Sequence, residues 1–114
     1  MEESKLNDTR GRGLLQVQLD IDPAHDEEFN RWFIEEHFPA IVGFPGVLAG
    51  RRFRHVADPH KYLALYDLQS PQILDSPEYA KVATSPWTQR ISQHFTARQR
   101  NVYVDITPPL VKKP

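Results

Sequence analysis

Apolar and polar residues alternate with a period of two near the start of the chain. In residues 13 to 21, leucine, valine and isoleucine take every second position from residue 15, separated by glutamine and aspartate. Such alternation is typical of a β-strand with one buried face. Segments 47 to 56, 61 to 69 and 99 to 106 also have strand character, and the short loop at 57 to 60 predicts an antiparallel hairpin. The pattern therefore predicts four strands.

Helix starts are marked by aspartate or serine followed by proline, because proline is favoured at the first helical position. The four such pairs are Asp22-Pro23, Ser70-Pro71, Ser76-Pro77 and Ser85-Pro86. The first pair opens a long helix, which we expect to end within a residue or two of His37 because Pro39 disfavours helical backbone before it. The last pair opens a second amphipathic helix. Its apolar face comprises Trp87, Ile91, His94 and Phe95.

The order strand, helix, strand, strand, helical region, strand predicts an α+β fold. It is the ferredoxin-like split βαβ arrangement, an antiparallel sheet with helices on one face. We place it in a single domain at residues 13 to 106. Residues 1 to 12 lack apolar periodicity and are expected to form a flexible arm, and residues 107 to 114 an extended proline-rich tail.

The third strand predicts a homodimer. Residues 62 to 68 are almost continuously apolar, so both faces of this strand should be covered. The helices cover one face, and a second copy packed sheet to sheet would cover the other.

Composition narrows the possible partners. Fifteen acidic and fourteen basic residues leave a net charge of −1, which provides no global attraction for nucleic acid or an anionic membrane. The chain has no cysteine, no apolar run long enough to span a bilayer and no signal-peptide pattern, so we expect a soluble cytoplasmic protein. Histidine spacings typical of metal sites are absent, and no metal or other cofactor is predicted.

His37 is the first candidate functional residue. Phe29, Phe33 and His37 are spaced at i, i+4 and i+8 with Trp32 beside them, so all four project from one side of a helix. An imidazole at the mouth of an apolar cleft can be an acid, a base or a ligand, or simply a core histidine bonded to a carbonyl. As a base it must be neutral: burial lowers its pKa, whereas a helix C-terminus favours the cation.

Other side chains supply possible partners for His37. Arg51 points opposite to Arg52 and Arg54 along the second strand, and an arginine facing the cleft could hold a carboxylate or enolate, or form a surface or dimer salt bridge. Tyr66 could donate a hydrogen bond to an oxyanion, or only pack. The predicted catalytic set is His37, Arg51 and Tyr66. The predicted pocket set is Trp32, Phe33, Trp87, Ile91, His94 and Tyr103.

Several motifs resemble one protein family. They are Phe29-Asn30-Arg31-Trp32-Phe33, Glu36-His37-Phe38-Pro39, and Phe44-Pro45-Gly46 leading into Arg51-Arg52-Phe53. Over residues 13 to 106 the chain resembles the dimeric α/β-barrel superfamily, most closely EthD-like and related small uncharacterised barrel proteins. The resemblance implies a cleft between sheet and helices, with function suspected at His37. Relatives include cofactor-independent cyclases, lactone isomerases, decarboxylases, quinone-forming monooxygenases and haem-handling proteins.

Our hypothesis is a cofactor-independent enzyme that moves a proton on an apolar or aromatic carbonyl, phenolic or lactone-like metabolite, as an isomerase, cyclase or decarboxylase. One alternative is a non-catalytic small-molecule-binding or accessory protein. A cofactor-free monooxygenase acting on an electron-rich phenol and a haem-binding barrel are further alternatives.

Overall fold

Four antiparallel strands form one sheet. The computed structural model describes residues 9 to 109, and its strands are β1 (Gly13–Ile21), β2 (Val47–Arg54), β3 (Lys61–Leu68) and β4 (Phe95–Val104). Their spatial order is β2-β3-β1-β4. Helices pack on one face, so the predicted ferredoxin-like α+β fold is confirmed. The limits of β1 are those predicted, whereas β4 begins four residues earlier than expected because Phe95 pairs with Ile21 beyond a bulge.

Three helices and two 3₁₀ turns connect the strands. The first turn (Pro23–His25) leads into α1, which is α-helical over Asp26–Trp32, π-helical over Phe33–His37 and α-helical again over Phe38–Val42. The second turn (Pro71–Asp75) precedes α2 (Pro77–Val82) and α3 (Pro86–Ser92). Ser76 and Ser85 cap α2 and α3 through their hydroxyls, and Asp22 caps the first turn. Ser70 makes no side-chain cap.

The expected end of α1 near His37 is wrong. The helix continues through Pro39 to Val42 because the chain widens to a π-turn, in which the Phe38 N–H bonds the Phe33 carbonyl. A proline clashes with the carbonyl four residues before it in a regular α-helix, and the wider turn relieves that contact. The predicted second helix is also shorter than expected, since α3 ends at Ser92 and leaves His94 outside it.

The two sheet faces differ in cover. On the helix side, alternate residues of β1 and β3 are buried, including Leu15, Tyr66 and Leu68, and they join the aromatic residues of α1 in the core. On the other side, Leu63 and Leu65 of β3 are only half-buried, so this face is the one for which the sequence predicts a second copy.

The termini of the described chain are close together. Backbone N–H groups of Gly11 and Asp105 bond the carbonyls of Asp105 and Arg12 respectively, so residues 9 to 12 lie beside the end of β4. The remaining parts of the predicted arm and tail, residues 1 to 8 and 110 to 114, lie outside the described residues.

Candidate functional site

A cavity of about 320 Å³ lies between the helices and the strands β1 and β4. Its wall is built from Leu15, Val17, Leu19, Trp32, His37, Ile41, Tyr66, Tyr79, Ala83, Thr84, Thr88, Gln89, Ser92, Phe95, Arg98 and Arg100. Apolar side chains from β1 form its floor, and polar groups come from β3, β4, all three helices and the loop after α2. The cavity therefore combines apolar walls with convergent polar groups, as small-molecule sites do.

Helix α1 places His37 in the cavity wall. The imidazole stacks on the Trp32 indole, with ring centroids 4.4 Å apart and planes 21° from parallel. Trp32 is 1% exposed and its Nε1–H donates to Thr88 Oγ1 at 3.0 Å, so the indole is fixed from both sides. His37 closes the π-turn of α1, a type of helix irregularity that is frequent at functional sites. The aromatic face predicted for this helix is confirmed by these contacts.

The environment of His37 keeps its ring neutral. Burial, and secondarily the positive charge of Arg98, lower the pKa of His37 to about 4. No described residue forms a hydrogen bond with either ring nitrogen of His37. The alternative of a core histidine satisfied by a carbonyl is thus not what the structure shows. At neutral pH the imidazole is a free base with an unused proton-accepting nitrogen.

Tyr66 brings a second unused polar group to the same cavity. It projects from β3 beside Leu15 and is 1% exposed, yet its buried hydroxyl has no hydrogen-bond partner. Burial raises the pKa of this phenol, so it stays protonated and can donate. A buried hydroxyl without a partner costs about 1–3 kcal/mol, a cost that a ligand carrying an acceptor would remove.

The contact between α1 and β2 depends on Gly50. A Cβ there would lie 2.7 Å from Val42 Cγ1, 2.9 Å from Phe38 Cε1 and 3.0 Å from Tyr66 Cδ1. These distances are shorter than side chains tolerate, so only glycine lets the helix end that follows His37 rest on the sheet. Gly50 therefore allows the end of α1 to approach β2 and Tyr66 closely.

Replacing Gly50 by alanine is expected to destabilise the fold by about 1–3 kcal/mol through overpacking and to weaken ligand binding in the cavity. Urea unfolding and ligand titration measure the two effects. Ala49→Ser, a similarly small change at the neighbouring exposed position, is the control. Wild-type stability in Gly50→Ala would show that the helix end moves freely.

Two arginines of β2 lie on opposite faces of the sheet, as their alternation predicted. Arg51 pairs with Leu65 on the face away from the helices and stacks near Phe53, so it does not share the His37 cavity within one subunit. Arg52 faces the helices. Its guanidinium lies 4.2 Å from the Phe33 ring centroid and 4.6 Å from that of Tyr62, with Nε and Nη2 buried and unbonded.

The remaining predicted pocket residues do not line the cavity. Phe33 contacts Arg52, and Ile91 is fully buried in the core. The Trp87 indole N–H donates to Glu28 at 3.1 Å. His94 stacks on His25 at a centroid distance of 3.4 Å, and Tyr103 lies on the opposite sheet face, bonded to Gln16. Of the predicted residues, the structure brings together His37, Tyr66 and Trp32.

Sequence reasoning missed the cations of this cavity, Arg98 and Arg100. Both occupy the helix-facing side of β4, opposite Leu19 and Val17 of β1. The sequence did contain a sign of this placement, because side chains at alternate positions of a strand share one face. Arg98 and Arg100 are therefore on the same face as Val102 and Val104. The shorter predicted β4 left Arg98 outside the strand.

A larger concavity, of about 910 Å³, lies at the opposite sheet face and the β4 end. Its wall includes Arg51, Tyr103 and Leu48, the last two being about half exposed. It holds neither a buried hydroxyl without a partner nor an imidazole. We therefore take the smaller His37 cavity as the candidate site, and the larger hollow as part of the open sheet face.

Residues 9 to 109 give no support for a metal site or for a membrane-spanning helix. No group of three or more histidine, aspartate or glutamate side chains there is arranged to hold a metal ion. No helix there is long and apolar enough to cross a membrane.

Comparison with known proteins identifies relatives by structure alone. No protein-family model and no curated protein sequence matches the chain. SnoaB from Streptomyces nogalater, a cofactor-independent oxygenase solved in a mutant form, superposes with a TM-score of 0.65 at 13% identity, over 86% of this chain and 96% of that one. A candidate antibiotic biosynthesis monooxygenase from Caulobacter crescentus CB15 gives 0.65 at 15% identity, over 94% and 100%.

A conserved protein from Methanosarcina mazei Go1 is similar at a TM-score of 0.66 and 10% identity, over 91% of this chain and 98% of that protein. These neighbours share the ferredoxin-like fold of this chain. None of the three is described as EthD-like, so the expected closer likeness to EthD-like proteins receives no support. At such low identities the likeness establishes the fold alone: the chain has the ferredoxin-like α+β architecture of these proteins.

Proposed function

We propose that this protein is a cofactor-independent enzyme that removes a proton from a phenolic or enolisable aromatic substrate, whose anion then reacts with molecular oxygen. One observation carries the proposal: neutral His37 and the unpartnered Tyr66 hydroxyl line the same cavity. SnoaB, described as a cofactor-independent oxygenase, has the same fold, which supports oxygen as the second reactant.

His37 serves as the base in this proposal. The free nitrogen of its neutral ring accepts the phenol proton, and the negative charge that develops on the substrate raises the pKa of the imidazole beside it. Transfer therefore becomes more favourable as it proceeds. Tyr66 donates its O–H to a substrate oxygen, and the Trp32–His37 stack fixes the direction of the accepting nitrogen. Positioned proton transfer of this kind contributes about 10²–10⁴-fold to a rate.

The oxygen step is balanced without any added reductant. The substrate loses four electrons, and molecular oxygen gains four. One oxygen atom forms a carbon–oxygen bond at a ring carbon, which gives up its hydrogen as a proton. The other oxygen atom leaves as water with that proton and the phenolic proton. A phenol is thereby converted to a quinone. Proton removal alone, as in an isomerase, cyclase or decarboxylase, is the second candidate, because a base and a donor in one cavity suffice for it.

Oxygen uptake tests the proposed function. We would supply 1,5-dihydroxynaphthalene and related electron-rich phenols, and follow oxygen with an electrode and quinone by absorbance. The expected result is one oxygen consumed per quinone, at a rate proportional to protein and above autoxidation. Solvent deuterium incorporation without oxygen uptake would favour the second candidate. Ligand binding with neither reaction would favour the non-catalytic binding protein and contradict the enzyme.

We also propose that the protein is a homodimer formed by the open sheet faces. This face carries half-buried Leu63 and Leu65 and the partly exposed rings of Phe53 and Tyr103. Contiguous apolar side chains on a surface are typical of a protein–protein interface. Packing two such sheets face to face would bury them.

Light scattering of the wild-type protein should give twice the chain mass of 13.2 kDa. Leu65→Lys is expected to give the monomer mass, because it places a charge at the centre of the buried face. Ile34→Lys, on a 65% exposed side chain of α1, should leave the dimer intact. A wild-type monomer would contradict the proposed dimer.

A further inference from the structure

The charges on the cavity wall are all of one sign. Arg98 and Arg100 line it, and no aspartate or glutamate does, although the whole chain has a net charge of −1. Within residues 9 to 109, neither arginine forms an ion pair with an acidic side chain; the ion pairs formed there involve other residues. Arg100 shares a hydrogen bond with the Tyr79 side chain, which is a neutral partner. A cavity with two cations on its wall and no carboxylate is suited to a ligand with an anionic end.

The backbones of Arg100 and Tyr66 lie on opposite sides of β1. Arg100 of β4 pairs with Val17 of β1. Tyr66 of β3 pairs with Leu15 on the other side of β1. Standard strand spacings place the two backbones about 12 Å apart. An elongated two-ring aromatic molecule can span this distance, with an oxygen at Tyr66 and its far end beside Arg100.

The fields of both arginines reach the cavity. Arg98 contributes to the lowered pKa of His37, and Arg100 opposes the rise that burial causes in the pKa of Tyr79. Both arginine side chains are solvent-accessible, so they stand where a ligand would enter. Arginine also presents a planar set of N–H donors that matches a carboxylate.

We propose that the natural substrate is an aromatic acid whose carboxylate is held by Arg98 and Arg100 while its phenolic end lies at His37 and Tyr66. This inference rests on the proposed function, because it adds the substrate class of the same site. Binding the carboxylate also offsets the charge of Arg98, so the correct substrate makes His37 a stronger base than it is in the empty site.

Matched probes test the inference. We would titrate 6-hydroxy-2-naphthoate and its neutral carboxamide, following the naphthol fluorescence. The wild type is expected to bind the acid about tenfold more tightly than the amide, as charge-assisted hydrogen bonds provide, and added salt should reduce this preference. In the double variant Arg98→Gln with Arg100→Gln the preference should disappear while amide binding is retained, which shows that the variant is folded.

Arg51→Gln is the control, since Arg51 is an exposed arginine on the opposite sheet face; it should keep the tenfold preference. A wild type that binds neither probe, or binds the amide as tightly as the acid, overturns the inference, as does a preference that survives in the double variant. Failure of the proposed function is distinguishable: the acid preference would then persist with no turnover of any phenol. Failure of the inference alone would leave oxygen uptake with uncharged phenols intact.

Discussion

Replacing His37 by glutamine is expected to lower kcat with a phenolic substrate by about 10²–10⁴-fold. Glutamine is close in size and can still hydrogen-bond a ligand, but it cannot accept a proton at neutral pH. Because a base acts mainly in the transition state, the dissociation constant of the substrate should change far less than kcat. Steady-state oxygen uptake gives kcat, and fluorescence titration gives the dissociation constant.

His94→Gln provides the matched control for this variant. It removes another imidazole of the same molecule, one that stacks on His25 and does not line the cavity, so turnover should stay near the wild-type value. Equal activity of the His37→Gln variant and the wild type would show that His37 is not the base. Equal losses in both variants would point to stability and not to catalysis.

Acidification is expected to destabilise the wild type more than His37→Gln. The pKa of His37 is about 4 in the folded protein and near 6.5 when unfolded, so between these values the unfolded chain binds a proton that the folded chain excludes. The stabilising effect of the neutral ring is complete above pH 6.5 and is lost as the pH falls through 4. Over that range it amounts to about 3 kcal/mol.

Urea unfolding at pH 7 and at pH 4.5 measures this difference. Carboxylates titrate over the same range in both proteins, so only the excess loss of the wild type over the His37→Gln variant reports on His37. If both proteins lost the same free energy of unfolding, the His37 imidazole would be protonated as readily in the folded state as in the unfolded chain. Water would then reach the ring in the cavity.

The sheet could be predicted from the sequence because its signals are local. Alternation over β1 follows directly from one buried face, and the serines before Pro77 and Pro86 mark helix starts that depend only on neighbouring residues. His37 was also found this way, because helical spacing alone places it on the side of Phe29 and Phe33.

The sequence did not reveal features that depend on contacts between distant residues. The passage of α1 through Pro39 requires a π-turn and the close approach of Val42 to Gly50, which no local rule contains. Alternation separated Arg51 from Arg52, but only the pairing of Arg52 with Ala64 shows which one faces the helices. Arg98 and Arg100 lie on an edge strand, where charged residues usually face solvent, and only the packing of the helices against β4 makes them part of a cavity wall.

NMR with nitrogen-15-labelled protein and 6-hydroxy-2-naphthoate would locate the ligand in solution and show directly whether it binds at His37. We expect the largest shifts on the His37 imidazole and the Trp32 indole N–H, with the His94 ring unchanged. Shifts centred instead on Tyr103 and Leu48, at the larger concavity of the opposite sheet face, would contradict this expectation and move the site away from His37.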